Sequence, residues 1–122
     1  MQGFRNLNVW KKAHELVLEV YRVSQPFPRS EMFGLTSQLR RAASSIAANL
    51  AEGCGRTQSE FAHYVQISFG SASELEYHLL LARDLGLLDA ANYERNTQNL
   101  WEIKKMLSAL LTRVRLSTRE RI

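Results

Sequence analysis

Two stretches of this chain repeat their apolar positions on a heptad, and that period restricts the fold more than any other feature. Phe61, Val65, Ser68, Ala72, Leu75, Leu79 and Ala82 recur at intervals of 4, 3, 4, 3, 4 and 3. Tyr93, Asn96, Leu100, Ile103, Leu107, Leu110 and Val114 recur at 3, 4, 3, 4, 3 and 4. A seam of this period belongs to a long helix burying one narrow stripe against neighbouring helices. The spacing therefore predicts two bundle helices, joined by a short Gly-containing turn at 85–88, with Asp89 capping the second. Thr57-Gln-Ser-Glu60 has the spacing of a capping box and opens the first of them.

The first half reads as two further helices. One begins near Asn8 and stops before the Pro26-Phe-Pro28 turn, which cannot continue it. Its stripe of Val9, Trp10, Ala13, Leu16, Val17, Val20 and Tyr21 is expected in the core, and Lys11 and Lys12 are expected on a solvated face beside Glu15 and Glu19. The next helix falls within Glu31–Arg56, with Ser30 as its N-cap and Phe27, Met32 and Phe33 packing around its start. Leu35, Leu39, Ala42, Ala43, Ile46 and Leu50 form its apolar face. Between Ala42 and Ala51 nearly every side chain is Ala or Ser, so neighbouring backbones can approach closely. It ends on Gly53, Cys54 and Gly55, where a glycine supplies the left-handed closing residue. Gly70, flanked by Ser71, Ala72 and Ser73, is expected where the next helix meets this thin surface.

At 122 residues the chain has the length of one domain, residues 1–122, and Met1–Asn8 lacks the apolar region of a signal peptide. No apolar run is long enough to span a bilayer, so no membrane partner and a cytoplasmic address are expected. Cys54 is the one cysteine, which rules out an internal disulfide. With three scattered histidines it makes no zinc site of the usual spacing. Phosphate-loop chemistry is missing, since Gly53 and Gly55 are not followed by Gly-Lys-Ser. Glu60 and His63 match one half of a di-iron Glu-x-x-His motif, but the match occurs once and inside the capping turn. No metal, cofactor or catalytic residue is expected.

The charges say more about partners. Net charge is +4 with a pI near 9.6, which permits anionic partners without requiring them. Arg40 and Arg41 have no acidic residue within four positions; they either pair with another helix or stay free for an anion. Lys104, Lys105, Arg113, Arg115 and Arg119 gather toward the C-terminus, where cations also complement a helix dipole. Glu52 is misplaced at a helix C-terminus and is expected to pair with Arg56 or a neighbouring helix. Phe69, Tyr77, Leu80, Leu81 and Trp101 lie beside the heptad seams, and a single bundle would leave several exposed. A patch of that kind marks an oligomer interface.

These stretches resemble the four helix bundle protein family, also known as 23S rRNA intervening-sequence proteins. The resemblance runs from VWKKAHELVLEVY through FGLTSQLRRAASSIAANLAEG to FGSASELEYHLLLARDLGLL. It matches Trp10, Ala13, Phe33 to Leu35, Gln38, Arg40, Arg41, Ser45, Ile46, Asn49, Glu52, Gly53, Arg56, Gly70 and Ser71. Ala47 departs from it, standing where many relatives have proline. The resemblance implies an all-α, up-down-up-down four-helix bundle assembled as a cyclic homo-oligomer, most often a pentamer. It also implies relatives encoded within ribosomal RNA insertions, and similar accessory proteins of diversity-generating retroelements that engage nucleic acid and a reverse transcriptase. The resulting expectation is a non-enzymatic, cytosolic oligomer that binds RNA or DNA non-specifically through Arg40, Arg41, Lys104, Lys105, Arg113, Arg115 and Arg119. The alternative is a protein-interaction scaffold whose basic groups serve only dipoles and ion pairs.

Overall fold

The computed structural model describes residues 3–121, with side chains as far as 117. Among the described residues there are four α-helices and no strand: α1 (Asn8–Ser24), α2 (Leu35–Gly53), α3 (Gln58–Asp84) and α4 (Ala90–Arg121). Short 3-10 turns at Phe4–Asn6 and Arg29–Glu31 precede α1 and α2. Each helix packs on the next and α4 closes on α1, with α2 and α3 sharing the most extensive seam. Both heptad stripes lie inward: Val65, Ser68, Ala72, Leu75, Leu79 and Ala82 from α3 meet Asn96, Leu100, Ile103 and Leu107 from α4 in one core. The six apolar positions named for α2 are all buried there too, as are Val9, Ala13, Leu16 and Val20 of α1.

Local chemistry explains most of the helix ends. Thr57 Oγ1 accepts from Glu60 N, while Glu60 Oε1 accepts from Thr57 N, a reciprocal capping box that opens α3. Asp89 Oδ1 accepts from Asn92 N at 2.7 Å in the first turn of α4. The turn before it passes through Gly86 at φ 75°, a left-handed conformation that glycine adopts without steric penalty.

The start of α2 differs from expectation, and its far end does not. Ser30 lies in the 3-10 turn rather than capping α2, which starts at Leu35, where Glu31 Oε1 accepts the Leu35 amide at 3.1 Å. At the far end the left-handed residue is Gly55, φ 87°, and Gly53 is the last residue of α2. Ala47, buried within α2, leaves that helix continuous. Tyr21, assigned to the core stripe, is exposed at 45% because it lies beneath an arginine from α2 rather than between helices.

Candidate interaction surfaces

Arg40 is committed to the end of α1. Helix C-termini leave carbonyls without intrahelical partners. Arg40 Nε donates to Ser24 Oγ at 2.9 Å, its Nη2 donates to the Tyr21 carbonyl at 3.4 Å, and its guanidinium lies 4.6 Å from the Tyr21 ring centre. Lys104 is similarly engaged between α3 and α4. Its ammonium donates to Glu76 Oε1 at 2.8 Å, stands 5.2 Å from the Phe69 ring centre and 5.6 Å from that of Trp101, and its side chain is only 16% exposed. Arg115 Nη2 donates to Gln66 Oε1 at 2.6 Å, a neutral partner, and Arg115 makes no ion pair among the described residues.

Arg41, Lys105 and Arg113 are exposed. Lys105 lies close enough to Glu102 to help hold that carboxyl below its usual range, after the larger effect of the Lys12 hydrogen bond. The Arg119 side chain lies outside the described residues. Successive α-helical residues turn by about 100°, so Lys104, Lys105 and Arg113 face three different flanks of α4. The six described basic positions thus do not converge on one surface of the protomer.

Cross-helix ion pairs were not legible in the sequence. Lys12 pairs with Glu102 of α4 instead of with its helical neighbours. Glu19 accepts from both Arg22 and Arg95, and the two guanidiniums hold its carboxyl below the ordinary value, the Arg22 hydrogen bond contributing most. Arg95 also reaches Asn92. These contacts depend on which helix lies beside α1, a fact that periodicity does not encode.

The remaining motif residues hold α2 against α3. Ser45 and Ser71 hydroxyls meet at 2.8 Å, Asn49 Nδ2 donates to the Ser45 carbonyl at 2.8 Å and to Ser45 Oγ at 2.9 Å, and Ser68 Oγ donates to the Ile46 carbonyl at 2.9 Å. Glu52 accepts from Arg56 Nη2 at 2.6 Å, and Arg56 Nε donates to the Glu52 carbonyl at 3.0 Å. One arginine therefore offsets both the misplaced carboxylate and an orphan carbonyl at the end of α2. The close approach expected at Gly70 occurs at Gly53 instead. A Cβ on Gly70 would meet nothing within 4 Å, whereas one on Gly53 would stand 2.8 Å from Tyr64 Cβ and 2.9 Å from Phe61 Cδ1. Cys54 is half-buried, and burial pushes its thiol pKa upward, away from nucleophilic reactivity.

Of the five apolar positions expected between protomers, Phe69 and Leu81 pack against the chain's own core and Leu80 is half-buried. Tyr77 and Trp101 are exposed, at 58% and 51%. Phe33, expected to pack at the start of α2, is 94% exposed, with Met32 half exposed beside it. The later start of α2 leaves both in the connection rather than on a buried helix face. Among the described residues no group of three His, Cys, Asp or Glu is placed to hold a metal ion, and no helix is long and apolar enough to cross a membrane.

Among solved structures, the chain is similar to a protein of unknown function from the S23 ribosomal protein family of Bacteroides thetaiotaomicron VPI-5482, determined at 1.70 Å. The two superpose with a TM-score of 0.79 at 24% identity, over 85% of this chain and 95% of that one, a likeness that speaks to the fold alone. Among curated proteins nothing matches. The sequence profile of the 23S rRNA-intervening sequence proteins matches residues 5–109, which include the Ser45–Asn49–Ser71 contacts and the Gly53 crossing, and the chain belongs to that family.

Proposed function

We propose that this protein is a non-enzymatic, cytosolic interaction module: an up-down-up-down bundle that assembles into a cyclic homo-oligomer and works through protein contacts. The observation that carries this reading is the exposure of Tyr77 and Trp101 on the outer sides of α3 and α4. Aromatic side chains bury large areas on association and are the residues on which interface energy concentrates. The contacts between successive helices, with short connections, support the alternating topology. A lone Cys54 with no internal partner suits a reducing compartment.

Self-assembly, rather than phosphate binding, becomes the leading role because Arg40 and Lys104 are engaged within the protomer. Phosphate contact is a second reading, favoured by Arg113, which is exposed and has no acidic partner among the described residues. A ring would multiply the net charge of +4 and gather arginines that one protomer keeps apart.

Light scattering on the purified protein at micromolar concentration tests the first reading, with a mass several times 14.0 kDa expected and a monomer ending it. Titration with an RNA hairpin at two salt concentrations tests the second. Affinity that falls steeply with salt and little with sequence supports phosphate contact, and absence of binding at low salt excludes it.

A further inference from the structure

Phe33 is a large apolar side chain left 94% exposed at the end of the connection between α1 and α2. The same chain carries a recess of about 500 Å³ with mostly apolar walls, lined by Tyr93, Thr97, Gln98 and Trp101 of α4 together with Arg83 of α3. The Arg83 guanidinium lies 4.6 Å from the Tyr93 ring centre and holds one wall in place. We propose that Phe33 of one copy seats in the Tyr93–Thr97–Trp101 recess of the next copy. The inference rests on the self-assembly reading and names the contact through which assembly occurs.

Three observations select a second copy as the occupant. The projecting ring and the recess are complementary and neither is covered within the chain; a phenylalanine side chain buries about 150–250 Å², which a recess of this size accommodates. The flanking charges are also complementary. Arg29, four residues before Phe33, and Glu94, on the rim of the recess, are exposed and make no ion pair among the described residues. Finally, the two features share one end of the bundle. Glu19 meets Arg95 at 3.2 Å and Arg22 meets Asn92 at 3.5 Å, so the end of α1 stands beside the first turns of α4.

A contact between two different patches is heterologous, and it forms a ring where its rotation closes and a filament where it does not; patches at the same height keep the rise per copy small, which closure requires. Two other mostly apolar recesses, one beside Leu7, Met106 and Leu110 and one beside Cys54, Arg56 and Phe61, lie at the opposite end, away from the height of Phe33.

The test is Phe33→Asp together with a cross-link. Because Phe33 is almost fully exposed, Phe33→Asp should keep the helical circular dichroism of the wild type while its scattering mass falls to the protomer value. In a Cys54→Ser background, Met32→Cys mixed with Gln98→Cys should form a covalent dimer under mild oxidation, and neither variant alone should. A wild-type oligomer whose mass survives Phe33→Asp and which yields no Met32–Gln98 cross-link overturns this contact while leaving self-assembly standing. A monomeric wild type overturns both.

Discussion

Gly53 and Tyr64 form a close crossing between α2 and α3: a methyl group on Gly53 would stand 2.8 Å from Tyr64 Cβ and 2.9 Å from Phe61 Cδ1. The Tyr64 contact cannot swing away, since its Cβ is fixed by the backbone and Gly53 is itself buried. Gly53→Ala should therefore cost about 1–3 kcal/mol of stability through overpacking. Gly70→Ala should instead gain up to about 1 kcal/mol, because it removes a helix-weakening glycine from an open site. Denaturant unfolding of the two variants should give shifts of opposite sign, and equal shifts would contradict this assignment.

Lys104 and Arg40 should behave as stability residues. Lys104→Gln removes the Glu76 ion pair and both ring contacts, at a cost of about 1–2 kcal/mol. Trp101 emission should shift as its environment changes, while RNA affinity and its salt dependence stay as in the wild type. Arg40→Lys should not rescue Arg40→Ala fully, since a single ammonium cannot reproduce the fork that serves Ser24 and Tyr21 while stacking on the tyrosine ring. Thermal unfolding of the three proteins orders them.

Asn96 occupies a fully buried seam position where Nδ2 donates to the Asn92 carbonyl but Oδ1 has no partner. An orphaned buried acceptor carries its desolvation penalty undiminished. Asn96→Leu should raise stability by about 1 kcal/mol, read as a higher denaturant midpoint with an unchanged slope. A lower midpoint would mean that the branched leucine does not fit this layer.

Acid should weaken the fold through identifiable carboxylates. Glu60, held low chiefly by the Thr57 hydroxyl, and Glu19, held low chiefly by Arg22, have folded pKa values beneath their ordinary 4.5. A depressed folded pKa supplies stability above the unfolded value, and that stability is lost as pH falls through the folded one. The unfolding midpoint should be steady at neutral pH and decline below the ordinary carboxylate range. Thr57→Val should shallow that decline by raising the Glu60 pKa toward normal. An identical acid limb in this variant would remove Glu60 from the explanation.

Much of the fold was legible because its causes are local. A heptad period needs only the turn of an α-helix to assign a buried stripe, and Leu75, Leu79, Leu100 and Ile103 lie where that period puts them. Thr57–Glu60 and Asp89 cap neighbouring backbone amides, so sequence spacing suffices to identify them. Glu52 and Arg56 lie one turn apart, and their pairing follows from that interval.

The sequence alone thus determined the number of helices, their inward faces and most of their caps, since these depend on residues within a turn or two of one another. Only the tertiary structure decided what the flanks of those helices do. Arg40 and Arg41 are adjacent and chemically identical, yet one meets the end of α1 while the other remains exposed. Gly53 and Gly70 both sit among small residues on helices that share a seam, and the crossing falls at only one of them. Phe33 became an exposed projection because Glu31 caps α2 at Leu35 rather than a turn earlier. The period of a helix fixes which face is buried against neighbours. The lateral order of the helices, and their height along one another, fixes which neighbour each flanking residue meets.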